Sequence, residues 1–124
     1  MPSEFSEKLA LIHQKMEESL NKCGRPEEDV VLLPATKKQS AEKIQEAIEC
    51  GIKRFGENRI QEAREKIPVL PTSIRWDFIG GLQRNKVKEA VYSFDLIHSV
   101  ESLKLAQEID KRAEQLGVAQ KILI

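Results

Sequence analysis

The feature that most constrains this chain is the alternation of apolar runs with amphipathic segments. Residues 30–36 (Val-Val-Leu-Leu-Pro-Ala-Thr) form an unbroken apolar run, which is typical of a strand buried on both faces of a parallel sheet. Further strands are predicted over 52–55, 74–79, 95–99 and 121–124, and helices over about 4–22, 40–51, 58–67, 83–93 and 102–116. This alternation predicts an α/β protein built from repeated βα units around a parallel sheet.

Two architectures share this pattern, and the turn after the first predicted strand separates them. A nucleotide-binding doubly wound fold usually has a glycine-rich turn there, whereas residues 36–40 (Thr-Lys-Lys-Gln-Ser) contain no glycine. We therefore predict a sheet of the (β/α) TIM-barrel type. A barrel needs eight units and about 250 residues. The pattern supplies an N-terminal helix, about four βα units and a fifth strand, so residues 1–124 are expected to be the N-terminal portion of one incomplete barrel domain.

Composition excludes several other classes of protein. The 20 basic and 20 acidic residues balance, so there is no basic surface for nucleic acid. No apolar run approaches the roughly 20 residues of a membrane span, and the N-terminus is acidic rather than signal-like, so we expect a cytoplasmic protein. Cys23 and Cys50 are isolated from each other and from a histidine pair, which argues against a metal site.

Lys37 is the most informative candidate for chemistry, because it closes the first apolar run. In a barrel it would project into the mouth beside hydrophobic neighbours. Partial desolvation there would increase the fraction of neutral, nucleophilic amine that can form a Schiff base. The alternative is that Lys37 and Lys38 are solvated loop lysines.

Asn58 occupies the equivalent place after the second predicted strand, in the triplet Gly56-Glu57-Asn58. A short amide at a strand end can donate and accept hydrogen bonds to a planar ligand, and the preceding glycine permits close approach. The alternative is a turn followed by a helix N-cap. The pair Gly80-Gly81 after the third strand indicates either a tight turn or a weak anion site.

Four segments taken together resemble the pyridoxal phosphate homeostasis proteins, a family of single-domain barrels related to the N-terminal domain of alanine racemase. They are residues 33–37 (Leu-Pro-Ala-Thr-Lys), 55–62 (Phe-Gly-Glu-Asn-Arg-Ile-Gln-Glu), 74–86 (Ile-Arg-Trp-Asp-Phe-Ile-Gly-Gly-Leu-Gln-Arg-Asn-Lys) and 97–101 (Ile-His-Ser-Val-Glu). The resemblance covers about residues 5–124. It differs from the usual family pattern at Pro34, at residues 38–40 (Lys-Gln-Ser) after the lysine, and at Asp77, where histidine is frequent.

The resemblance implies that Lys37 holds pyridoxal 5′-phosphate (PLP) as a Schiff base and that Asn58 lines the cofactor pocket. It also implies a carrier or regulator of intracellular PLP and amino-acid pools rather than an enzyme. In the family the phosphate is held in the C-terminal half, so PLP binding by these residues is expected to be weak. Two alternatives stay open: a racemase-like or aldolase-like Schiff-base enzyme, and a half-barrel without cofactor that acts only through association.

An open sheet implies unpaired strand edges, which are templates for pairing with another chain. We therefore expect self-association, or association with a complementary C-terminal half. The small-molecule cofactor is the other expected partner, and neither nucleic acid nor a membrane is expected.

Overall fold

The computed structural model describes residues 3–124, in which two α-helices come first and strands and helices then alternate. The α-helices are α1 (Glu4–Cys23), α2 (Ala41–Glu49), α3 (Ile60–Lys66), α4 (Val87–Ser93) and α5 (Leu103–Leu116), and the strands are β1 (Arg54–Glu57), β2 (Arg75–Phe78), β3 (Leu96–Ile97) and β4 (Lys121–Ile122). Short 3-10 helices cover Glu27–Asp29, Ile67–Val69 and Arg84–Lys86.

Polar caps explain where the longer helices begin and end. The hydroxyl oxygens of Ser3, Ser40 and Ser102 accept hydrogen bonds from backbone N–H groups in the first turns of α1, α2 and α5. Gly24 and Gly117 follow α1 and α5 in the left-handed conformation (φ 69° at both), which glycine adopts without steric cost. Ser40 therefore caps the start of α2, and Gly117 ends α5.

The strands form one open parallel sheet in the order β1-β2-β3-β4. Phe55 pairs with Trp76, Phe78 with Ile97, and Ile97 with Ile122. Helices connect the successive parallel strands, as in a partial barrel of the (β/α) TIM type. The predicted fold class is therefore confirmed.

The first predicted strand is wrong. Within residues 30–36 only Ala35 pairs with the sheet, through an isolated parallel bridge to Gly56, and Val31 is 66% exposed. Pro34 is the physical reason, because it has no N–H to donate to a neighbouring strand. Its carbonyl accepts from Gly56 N (2.8 Å), and Thr36 N donates to Gly56 O (3.0 Å). These two hydrogen bonds attach the segment to β1.

The second predicted strand is displaced by two residues. It was expected over 52–55 and lies at 54–57, so Gly56 and Glu57 belong to β1 and only Asn58 follows it. The prediction ended the strand before Gly56, but the register Gly56↔Asp77 and Glu57↔Phe78 shows that pairing with β2 continues through this glycine.

The two faces of the sheet differ in character. Phe55, Trp76, Phe78 and Ile97 share one face and belong to a hydrophobic core that includes residues from all five α-helices. The Phe55 and Trp76 rings are 5.6 Å apart, and Phe78 meets Phe94 edge-on at 5.1 Å. Trp76 and Phe78 are therefore core residues.

The opposite face, which would form the interior of a barrel, carries Ala35, Gly56, Asp77 and Leu96 in register across the sheet. Ala35 is exposed and Leu96 is half-buried, whereas Asp77 is buried.

Candidate functional site

Lys37 lies in a tight turn at the carboxyl end of the sheet. Gln39 N donates to Thr36 O (3.0 Å), and Lys38 adopts a left-handed conformation (φ 60°). The Lys37 side chain is exposed, and across residues 3–124 it has no hydrogen-bond or ion-pair partner. The expected desolvation is therefore not seen, because the turn carries the residue away from hydrophobic neighbours. The amine is nevertheless free to react.

Asn58 directly follows β1 and is half-buried. The bridge between Ala35 and Gly56 puts Lys37 and Asn58 at equivalent positions, each two residues beyond a paired residue at the same edge of the sheet. Asn58 Oδ1 is shielded from solvent and has no hydrogen-bond partner among the residues described. An amide oxygen of this kind can accept a hydrogen bond from a ligand.

A cleft of about 290 Å³ lies beside Asn58, between the loops that follow β1 and β2. Its lining includes Arg59, Arg64, Gln83 and Lys86 but not Lys37. The structure thus brings Asn58, and not Lys37, to this cleft.

Glycines allow the strand ends to lie close together. A Cβ atom on Gly80 would lie 2.8 Å from both Cα and Cβ of Asn58, so no larger residue fits without displacing the loop after β1. A Cβ atom on Gly56 would lie 2.9 Å from Cδ1 of Ile79. Nothing lies within 4 Å of the position for a Cβ on Gly81. The structure therefore favours the tight-turn interpretation of the glycine pair over an anion site.

A buried polar cluster beneath the Lys37 turn was missed by sequence reasoning. Lys66 Nζ donates to Glu57 Oε1 and to the carbonyl oxygen of Thr36, both at 2.7 Å, and Thr36 Oγ1 donates to the same Glu57 oxygen at 2.7 Å. The side chains of Glu57 and Lys66 are 0% and 10% exposed. Alternation along β1 could have revealed Glu57, because it shares the core face with Phe55, where a carboxylate needs a partner.

A second cluster lies on the opposite face of the sheet. Asp77 accepts from Arg54 Nε (2.7 Å) through one carboxylate oxygen, and its other oxygen is 2.8 Å from His98 Nε2. Because an ionised carboxylate only accepts hydrogen bonds, Nε2 carries the proton in this pair. The sequence analysis identified Asp77 only as a departure from the family pattern and did not predict its contact with His98. The structure joins them.

Other sites are not formed in the part of the chain that the structure describes. Cys23 and Cys50 are both free thiols. No group of three or more histidine, cysteine or acidic side chains within residues 3–124 could hold a metal ion. Over the same range no helix is long and apolar enough to cross a membrane.

Comparison with known proteins supplies relatives along most of the chain, although no family model matches it. The pyridoxal phosphate homeostasis protein of Aquifex aeolicus is 40% identical over 119 residues, which are 95% of this chain and 52% of that protein. The Escherichia coli protein of the same name is 34% identical over 119 residues, covering 92% and 51%.

Solved structures agree with these sequence relatives. PipY of Synechococcus elongatus with PLP bound is 38% identical, with a TM-score of 0.73 over 86% of this chain and 51% of PipY. An unknown protein from Bifidobacterium adolescentis has a TM-score of 0.88 at 29% identity, over 95% of this chain and 53% of that one. The chain spans about half the length of these relatives. Over that half, it belongs to the family of pyridoxal phosphate homeostasis proteins.

Proposed function

We propose that this chain binds PLP through a Schiff base on Lys37. In that reaction the Lys37 amine attacks the aldehyde carbon of the cofactor, a C=N bond forms, and water leaves. The observation that carries the proposal is the exposed Lys37 amine without a partner, held in a turn at the carboxyl end of the sheet. A relative that is 38% identical has been solved with PLP bound.

The residues around this position suit the cofactor. Lys37 and Asn58 occupy equivalent register positions on neighbouring segments of the same sheet edge. The buried Oδ1 of Asn58 has no partner within residues 3–124, so it can accept a hydrogen bond from the ligand and orient it. We therefore assign Lys37 the covalent role and Asn58 a pocket role.

We further propose that the chain acts as a carrier or regulator in PLP and amino-acid homeostasis inside the cell, without catalytic turnover. Relatives named for PLP homeostasis support this choice. A racemase-like enzyme would need an acid–base group beside the lysine. His98 is the imidazole held by a buried carboxylate, but it follows β3, three chain segments away from Ala35. At about 4.8 Å per strand, that separation is roughly 14 Å.

The test is covalent trapping. The protein is titrated with PLP, the imine absorbance band is followed, the adduct is reduced with borohydride, and the modified lysine is located by mass spectrometry. Lys37→Ala should abolish the band and the labelled peptide. Lys38→Ala is the matched control, because Lys38 is the neighbouring exposed lysine, and it should retain the label on Lys37.

Labelling confined to Lys37 supports the proposal. Labelling spread evenly over the surface lysines, or no labelling even at PLP concentrations far above those that saturate a full-length relative, would overturn it. Conversion of an L-amino acid into its D-form by the loaded protein would replace the carrier role with the enzymatic alternative.

A further inference from the structure

The two peptide groups that flank Lys37 are both held by side chains of α3. Lys66 Nζ donates to the carbonyl oxygen of Thr36, which belongs to the peptide group before Lys37, at 2.7 Å. Glu62 Oε1 accepts from the N–H of Lys38, which belongs to the peptide group after Lys37, also at 2.7 Å. The backbone of Lys37 is therefore restrained on both sides by one helix.

The holding residues are coupled to each other and anchored in the core. Glu62 and Lys66 lie one helical turn apart, with 3.7 Å between Oε1 and Nζ. Lys66 is fixed in turn by the fully buried carboxylate of Glu57. Because a buried ion pair often adds little stability over well-packed apolar residues, stability alone does not account for this pair.

The backbone conformation of Lys38 also indicates that the chain around Lys37 is restrained. Its φ of 60° lies in the left-handed region, which is unfavourable for a residue with a Cβ and persists only where the surroundings hold it. The hydrogen bond from Lys38 N to Glu62 provides such a restraint. This conformation ends the extended segment directly after Lys37 and keeps that residue at the sheet edge.

We propose that Glu62 and Lys66 are positioning residues that fix the backbone of Lys37 so that its amine meets the cofactor aldehyde. This inference rests on the proposed function, and it assigns to α3 a role in that chemistry. Neither residue touches the reacting atoms. They reduce the number of conformations open to the Lys37 backbone, so that its amine is more often in a position to attack the aldehyde.

The test centres on Glu62→Ala, because Glu62 is 24% exposed and water can replace its carboxylate at Lys38 N–H without unfolding the chain. We expect the rate of borohydride-trapped labelling at Lys37 to fall about tenfold, the effect of losing one hydrogen bond to a charged group. Glu62→Gln keeps an acceptor oxygen and should restore the rate to within about twofold of wild type. Glu65→Ala is the matched control and should leave the rate unchanged, because Glu65 is an exposed acid on the same helix that has no hydrogen-bond or ion-pair partner within residues 3–124.

A second readout does not depend on PLP. Amide hydrogen exchange at Lys38, measured by NMR, should accelerate about tenfold in Glu62→Ala and stay unchanged in Glu65→Ala. If wild type labels at Lys37 and Glu62→Ala labels equally fast, the positioning role is overturned while the proposed function stands. If wild type does not label at Lys37, the proposed function and the positioning role both fail. Unchanged exchange in Glu62→Ala would overturn the restraint itself.

Discussion

The buried pair of Glu57 and Lys66 gives a stability prediction whose size follows from its burial. Replacing Lys66 with methionine keeps most of the apolar stem but removes the ammonium group. The fully buried Glu57 carboxylate would then retain, within residues 3–124, only the Thr36 hydroxyl at Oε1 and no partner at Oε2. Removing one partner of a buried pair costs about 3–5 kcal/mol. Since domains of this size have about 5–15 kcal/mol of stability, the loss would be a large share of the total.

Urea denaturation followed by circular dichroism measures the change in the free energy of unfolding. Combining Glu57→Gln with Lys66→Met removes the unpaired buried charge. The double variant should therefore lose about 1–3 kcal/mol less free energy of unfolding than the sum of the losses in the two single variants. Arg64→Met is the matched control on the same helix, because the Arg64–Glu89 pair is exposed and its loss should cost at most about 1 kcal/mol. A Lys66→Met variant within about 0.5 kcal/mol of wild type would refute the reasoning.

Two further predictions concern backbone packing and association. Gly80→Ala should destabilise the protein by about 1–3 kcal/mol in the same assay, because the new methyl group would clash with the Asn58 backbone. Gly81→Ala is the control and should be near neutral, because the space around a Cβ at position 81 is open. Equal effects of the two substitutions would contradict the close approach of Gly80 to Asn58. We also propose self-association through β4, which is the edge strand of the sheet among the described residues. Size exclusion with light scattering should show a mass above the 14.1 kDa of one chain, and a well-folded monomer would refute this proposal.

Periodicity in the sequence was sufficient to predict the helices and the parallel sheet, because both depend on local patterns of apolar residues. The apolar run at 30–36 was misleading for a physical reason: hydrophobicity indicates burial, but strand pairing also needs N–H donors, and Pro34 removes one. The strand predicted over 52–55 ended before Gly56, although the pairing of Gly56 with Asp77 continues the ladder to Glu57.

At the candidate site, too, the sequence predicted where residues lie along the chain but not which distant residues contact each other. The positions of Lys37 and Asn58 at the carboxyl edge of the sheet could be predicted from the sequence, and their role in binding stays a prediction. The contacts of Glu57 with Lys66, and of Asp77 with His98, join residues from different elements. Such pairs depend on register and on which face a residue occupies, and a single sequence does not specify these to within one residue.

The single bridge at Ala35 has a consequence for local unfolding. The segment that carries Lys37 is joined to β1 by two backbone hydrogen bonds rather than by a full ladder, so it can separate from the sheet while β1–β4 stay paired. Its opening free energy is then set by these two bonds, by the Thr36 hydroxyl on β1 and by the Glu62 and Lys66 side chains of α3, rather than by global stability. A ligand bound to Lys37 would close this opening, so occupancy would be visible as slower amide exchange in residues 34–39 without a matching change in the core strands.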